Sequence, residues 1–500
     1  MNILHYLHKK WINRHALVVV AGICIVLSVG ALYAAGRIPM WRGNGTPQEF
    51  VVELREDGFH PQELTIQKGD SIKFVTTRNS YFWPASDLHP THLLYSGFDP
   101  KEPIGAKESW TFRFEKPGGW KFHDHLAPYF TGIITVTDKE EQALSQDECL
   151  NKEGSFECWR QRLLATLHDN GVDAMFDLLA QLYKEQGKFD LSCHGLTHDM
   201  GLAAYKVFLK NNDSVFTPKV SFCAYGFYHG FMEAFLRTTG DVMKAREFCG
   251  FVQERLADQA PDAGLQCFHG IGHGLMDVVV SDKRRWGNEH ALVAPALEQC
   301  EKASEKPEQL YRCASGVFNG IANFYISGQF KLSVRKDDPL WLCNEQPERY
   351  KDSCYGNMNS TVFWLGKNDF SRAVPFVEKI TEDTYAISAM RYLAGLATLN
   401  TAEQEKLSDA ISICRGLRTA LRAPCIEGFA HGFLEHGTPT TEYAEALSFC
   451  RLSEMKEDER EICFHYVLSG LHGWYSAAKA GEICGGVEER YRKYCSGGSS

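Results

Sequence analysis

The chain has 500 residues, 44% hydrophobic and 23% charged, with a formal net charge of −10 and 17 cysteines. Length suggests about three domains at roughly 150 residues each, and a composition near the globular average argues against wholesale disorder. The acidic balance argues against a nucleic-acid binder, because such proteins present a basic surface that displaces counterions.

Residues Ala16 to Gly36 contain no charged side chain. At about 1.5 Å per residue the stretch reaches roughly 30 Å, enough to cross a bilayer core. Lys9, Lys10 and Arg14 precede it, and Arg37 and Arg42 follow. This small asymmetry favours a cytoplasmic amino tail. Residues 1–40 are therefore read as a cytoplasmic tail and a single-pass signal-anchor, with the bulk of the chain extracytoplasmic. A cleaved signal peptide is the alternative, with Ala34-Ala35-Gly36 as its small-residue site; the chain would then be secreted.

Residues 41–48 form a Gly/Pro-bearing linker. From 49 to 138 the pattern is that of strands. Phe50 to Leu54, Leu64 to Gln67, Ile72 to Thr76, Trp110 to Phe114 and Gly132 to Val136 are short, mostly alternating runs parted by Gly, Pro and Asp. An antiparallel β-sandwich is the economical reading. Residues 139–148 are polar and acidic, a second linker.

From 149 to 495 the texture is helical, with apolar residues three and four apart in segments such as Gln161 to Leu182 and Asp241 to Leu256. Residues 496–500 read as a flexible tail. Cys24 lies in the apolar N-terminal stretch, and the other 16 cysteines all fall at or after Cys149. They read as consecutive pairs: 149/158, 193/223, 249/267, 300/313, 343/354, 414/425, 450/463 and 484/495. No pair is a Cys-x-x-Cys, and an even count in an exported chain points to a disulfide framework, with buried free thiols as the alternative.

The second cysteine of each pair anchors a repeat. Cys223-Ala-Tyr-Gly-Phe-Tyr-His-Gly, Cys267-Phe-His-Gly-Ile-Gly-His-Gly, Cys313-Ala-Ser-Gly-Val-Phe-Asn-Gly and Cys425-Ile-Glu-Gly-Phe-Ala-His-Gly share one pattern. Tyr392-Leu-Ala-Gly-Leu is the same unit without its cysteine. The spacing predicts a helix-pair repeat whose hairpins are closed by disulfides, arranged as a solenoid or a closed α/α toroid. Glycines three and seven residues after the cysteine share a helix face and permit close backbone approach.

Gly58-Phe-His-Pro-Gln-Glu-Leu-Thr-Ile-Gln-Lys-Gly-Asp resembles the opening strands of a cupredoxin, and Gly118-Gly-Trp-Lys-Phe-His-Asp-His with Gly132-Ile-Ile-Thr-Val resembles its closing strands. The resemblance implies a copper-type sandwich. Aligned to that family's Cys-x-x-His-x-x-Met ligand run, this chain places Asp124, Ala127 and Phe130, so the blue-copper thiolate is missing. Four histidines stand at the loops where the family binds metal: His89 and His92 in Leu88-His-Pro-Thr-His, and His123 and His125 in Phe122-His-Asp-His. The second pair is also similar to the His-x-His segment of multicopper oxidases. These four are the expected metal ligands, with Asp124 as a ligand or as an acceptor for a ring N–H; a degenerate sandwich whose histidines only make surface hydrogen bonds is the alternative. Copper is the expected ion and zinc the alternative.

The helical repeats carry a second pattern. His229 and Glu233, His273 and Asp277, and His431 and Glu435 are each four apart, as are His194 and His198. Such pairs are neighbours on one helix face. If the helices line a ring, these groups converge on a cavity able to hold a metal or do acid–base chemistry; packing hydrogen bonds are the plain alternative. The Gly-x-x-His-Gly segments faintly resemble the α/α toroid of lanthionine cyclases. No catalytic triad, P-loop, dinucleotide motif or His-Glu-x-x-His is present, so enzymatic activity stays open. The reading is a membrane-anchored extracytoplasmic metal-binding protein with a helical binding or scaffold domain. A metalloenzyme and a purely structural scaffold are its rivals. The partner or ligand of the helices is unknown, and the membrane is met only through the N-terminal helix.

Overall fold

The computed structural model describes residues 47–87, 95, 97–116, 118–137, 156–185, 189–211, 217–401 and 404–495. The proposed anchor, Cys24, His89, His92 and Cys149 lie outside these residues. Among the described residues no helix is long and apolar enough to cross a membrane.

Among the described residues eight strands come first: β1 (Glu49–Arg55), β2 (Gly58–His60), β3 (Glu63–Gln67), β4 (Ser71–Thr76), β5 (Pro84–Ser86), β6 (Trp110–Arg113), β7 (Gly118–Asp124) and β8 (Ala127–Thr137). They form two four-stranded sheets, ordered β2-β1-β4-β6 and β3-β8-β7-β5. The sheets are mixed, not antiparallel as the sequence suggested: β1 pairs with β4 and β3 with β8 in parallel. The reason is the path of the chain. After the β1–β2 hairpin it crosses to the other sheet as β3, then re-enters the first sheet alongside β1. Alternation sets the inner face, so Val52 and Leu54 of β1 and Ile72 and Phe74 of β4 are fully buried. Phe74, Phe98 and Phe122 meet at the centre of this core, with ring centroids 5.3 to 5.6 Å apart.

Eighteen α-helices follow among the described residues. The first are α1 (Phe156–Asn170), α2 (Val172–Glu185), α3 (Asp190–Asn211), α4 (Gly226–Thr239), α5 (Val242–Leu256) and α6 (Ala263–Val280). Next come α7 (Glu289–Ala303), α8 (Pro307–Ser327), α9 (Trp341–Asn344), α10 (Glu348–Asn357), α11 (Asn359–Leu365) and α12 (Phe370–Glu378). The last are α13 (Asp383–Thr401), α14 (Gln404–Gly416), α15 (Thr419–His436), α16 (Glu442–Cys450), α17 (Glu457–Trp474) and α18 (Ala477–Gly485). The periodic stretch from Gln161 to Leu182 is two helices, parted at Gly171, whose φ of +87° only glycine adopts easily. The Asp241–Leu256 stretch is α5, with Asp241 as its cap accepting from the amides of Met243 and Lys244 at 3.0 and 3.2 Å.

Seven disulfides join the predicted consecutive pairs from 193/223 to 484/495. Cys158 is disulfide-bonded as well. Most bridges close the turn between an outer helix and the inner helix that follows it, as Cys300 of α7 does with Cys313 of α8. A framework of this kind belongs to an oxidising, extracytoplasmic compartment.

The repeat glycines are contact points between neighbouring inner helices. A Cβ on Gly230 of α4 would lie 2.0 Å from the carbonyl oxygen of His198 in α3, and one on Gly270 of α6 would lie 2.4 Å from that of Tyr228 in α4. Gly316 of α8 and Gly428 of α15 meet His269 and Arg391 carbonyls in the same way, at 2.0 and 2.3 Å. Residue numbers rise together across each contact, so adjacent inner helices run parallel. Helices far apart in the array also touch. The amide of Ala224, just before α4, donates to Glu435 O of α15 at 3.1 Å, and Tyr225 packs on Trp474 of α17.

From Glu49 onward the chain is one compact unit. Trp83 and Ala85, at the edge of the sandwich, are buried in the helical core. There Trp83 faces Trp286 and Phe330 at centroid distances of 6.0 and 5.6 Å.

Candidate metal centre

The close approach of α3, α4 and α6 draws five histidines into one cluster. The rings of His229 and His273 stack with centroids 4.4 Å apart, and His269 lies 4.8 Å from His229 and 5.1 Å from His273. His194 and His198 reach His229 from α3 at 5.0 and 6.5 Å. One ring nitrogen from each of His229, His269 and His273 lies within 4.8 Å of the others. Among the described residues this is the one group of three or more His, Cys, Asp or Glu so placed.

The charge environment is specific. Burial pushes His229 and His273 well below the ordinary imidazole value and His269 down to about 3, so all three are neutral at neutral pH. His194 is pushed down to about 4 by the same cause, and its Nδ1 donates to Cys223 O at 3.0 Å. His198 goes the other way. Burial works against its charge, but Glu233 outweighs this and raises it, accepting from Nε2 at 3.1 Å. Glu233 Oε1 also lies 3.9 Å from Nδ1 of His273. The Nε2 of His273 is buried and has no hydrogen-bond partner. That nitrogen is free to accept a proton donor or to bind a metal ion.

The sequence pairing of a histidine with the acid four residues on is seen at His431 and Glu435, whose Nε2 and Oε1 are 3.1 Å apart. Glu233 serves His198 and His273 across helix boundaries, and Asp277 forms an ion pair with Arg237 of α4. The glycine contacts explain this: they bring a neighbouring helix nearer than the next turn of the same helix. His194, His198, His229, Glu233 and His273 are thus brought together. Asp277 serves a different pair, and His431 and Glu435 stand on the wall of a separate cavity. His269 was not foreseen, although it stands four residues before His273, the spacing that singled out His194 and His198.

The sandwich histidines described here lie at the junction with the helices. His123 and His125 are both buried, with ring centroids 6.1 Å apart, and a register shift in the β7–β8 ladder falls beside them. His125 packs on Trp83 at 4.5 Å and on Phe330 at 5.6 Å, and its carbonyl accepts from Arg237 at 3.2 Å. The carboxylate at the His123 ring is Asp87, whose Oδ1 is 2.6 Å from Nδ1. Asp124 instead accepts from the backbone amides of Trp83 and Leu126. Burial opposes ionisation of Asp87, yet Arg160 at 3.1 Å and His123 hold its carboxyl well below the usual range. Arg160 also pairs with Asp199 of α3, so buried charge runs from β7 to the helix that carries His198. His123, Asp87 and Arg160 border a cavity of about 630 Å³ between the sandwich and the helices.

No protein-family model and no curated protein matches the chain. Among solved structures it is similar to amicyanin at 13% identity, over 19% of this chain and 87% of amicyanin, with a TM-score of 0.16. It is similar to a purple cupredoxin from Nitrosopumilus maritimus at 15% identity, over 18% of this chain and all of that one (100%), with a TM-score of 0.15. Plastocyanin from Dryopteris crassirhizoma matches at 18% identity over the same two shares, 18% and 100%, with a TM-score of 0.16. The helical array has no assigned family.

Proposed function

We propose that the protein is an extracytoplasmic metal-binding protein, tethered by the apolar segment at 16–36, whose metal centre is His229, His269 and His273. The observation that carries this is the convergence of three ring nitrogens within 4.8 Å on neutral imidazoles. A metal takes the deprotonated ligand, so a site whose histidines are already neutral binds without displacing protons. Glu233 holds His198 by a hydrogen bond and places a carboxylate oxygen 3.9 Å from Nδ1 of His273, adding negative charge beside the centre. Every described cysteine of the helical array is in a disulfide, so the donor set is imidazole and carboxylate, without thiolate. Such a set takes copper(II) ahead of zinc in the usual order of affinity, and copper is the ion we assign. His123 and His125, with His89 and His92, form the second proposed site, in the sandwich.

The test is metal content. The full chain, purified and loaded with copper or zinc, is expected to hold stoichiometric metal that His229→Ala/His269→Ala/His273→Ala loses. His123→Ala/His125→Ala leaves that equivalent in place. No stoichiometric metal in the parent, or metal lost with the sandwich pair and kept in the helical variant, overturns the assignment.

A further inference from the structure

Six inner helices in succession, α6, α8, α10, α13, α15 and α17, face one cavity of about 450 Å³. This lies within the usual range for small-molecule sites, about 300–1,000 Å³. Three of its charged groups, Arg312, Asp262 and Asp352, are built in but not paired with one another. Arg312 of α8 lines it with no ion pair or hydrogen bond among the described residues. Asp262 occupies the cap position of α6, yet its carboxylate accepts no capping bond and lines the cavity instead. On α10, Asp352 has a buried Oδ1 with no hydrogen-bond partner. The other charges on the wall are satisfied: Arg391 is held by Glu427 at 2.6 and 3.1 Å, and His431 lies between Glu435 and the Tyr466 hydroxyl, each 3.1 Å away. Tyr392 and Trp474 supply aromatic faces.

A guanidinium and two carboxylates that share a space without pairing carry a desolvation cost that a ligand of matching charges removes. A simple anion placed on Arg312 meets Asp262 and Asp352, and a simple cation placed on those acids meets Arg312. A zwitterion satisfies both. The geometry points to a binding site for a small zwitterion, an amino acid or dipeptide, with its carboxylate on Arg312 and its ammonium toward Asp262 and Asp352. Guanidinium binds carboxylate in a two-pronged fork, and an ammonium gains further from an aromatic face beside it. Nothing in this assignment uses the histidine centre.

The test is calorimetric titration of the full chain with the twenty common amino acids and glycylglycine. Each is paired with its analogue lacking the amine and its analogue lacking the carboxylate. At least one zwitterion is expected to bind at a single site, and both of its analogues to bind at least tenfold more weakly. Arg312→Met should weaken binding tenfold or more, Arg312→Lys should recover part of it, and Asp352→Asn should weaken it with circular dichroism unchanged. Binding by no zwitterion, or an analogue binding as tightly as its parent, overturns the proposal, as does Arg312→Met with unchanged affinity. If Arg312→Met fails to fold, the analogue series on the parent protein decides alone.

Discussion

Gly316→Ala and Gly250→Ala are the same chemical change, and the fold gives them opposite signs. A Cβ on Gly316 of α8 would stand 2.0 Å from the carbonyl oxygen of His269 and 3.0 Å from Cα of Gly272. An ordinary carbon–oxygen contact is about 3.3 Å, so α6 and α8 must part by more than an ångström. A gap of about 0.5–1 Å already forfeits a quarter to a half of each dispersion contact, and this helix pair buries Ile271, Val317 and Ile321 completely. Overpacking of this kind costs about 3 kcal/mol, against which the helix gains about 1 kcal/mol on losing a glycine. Gly250 of α5 has nothing within 4 Å of its would-be Cβ, so only that gain of about 1 kcal/mol is left. The two variants should therefore differ by about 3 kcal/mol in opposite directions from the parent. Urea unfolding of the oxidised full chain, followed by circular dichroism, reads the difference. Because the backbone that must move carries His269, and metal–ligand distances tolerate only about 0.2 Å, Gly316→Ala should also weaken copper binding tenfold or more. Two variants that shift the urea midpoint in the same direction would refute the close-packing argument.

Three further outcomes follow from buried charge and from the junction. Burial pushes Glu442 up to about 7, above its unfolded value, so its contribution to stability is full at low pH and is lost as pH rises through 7. Glu442→Gln should therefore stabilise by about 3 kcal/mol at pH 8 and by nothing at pH 4; equal urea-midpoint shifts at the two pH values would show the reasoning wrong. Asp87 is held low, so its contribution is present at neutral pH and is lost on acidification. Asp87→Asn should cost about 3 kcal/mol at pH 7, with a penalty that shrinks below pH 4, and a penalty independent of pH in the same urea series would reject the ion-pair account. Trp83→Ala should cost about 3–5 kcal/mol and raise hydrogen exchange both in β5 and around Phe330; faster exchange confined to the strands would mean that the two cores are independent.

The parts of this fold that were legible in the sequence are those set by local chemistry. The cysteine pairs could be read because each bridge spans one turn or one helix, and the glycines because their spacing puts them on one face. The five strand runs were visible because burial on one side forces alternation. What crosses between elements left no mark. The parallel pairing of β1 with β4 depends on a change of sheet that no residue announces. Glu233 seemed to belong to His229, four residues away on its own helix, but it serves His198 and His273 because helix contacts at glycine are closer than a helical turn. Asp87, rather than Asp124, meets His123 because the sheet edge folds it there. Trp83 and Arg312 carried no pattern at all; their roles come from the surfaces that close over them.

The order of the disulfides bears on how the molecule is made. From Cys193 to Cys495 each described bridge joins a cysteine to the next one along the chain, 11 to 30 residues later. A chain delivered amino end first presents each thiol's native partner before any wrong one after it. An oxidant acting during export therefore writes the native set directly, and a disulfide isomerase finds nothing to correct. The repeat can lengthen by whole units without complicating its own oxidation, since each added unit brings both halves of its bridge.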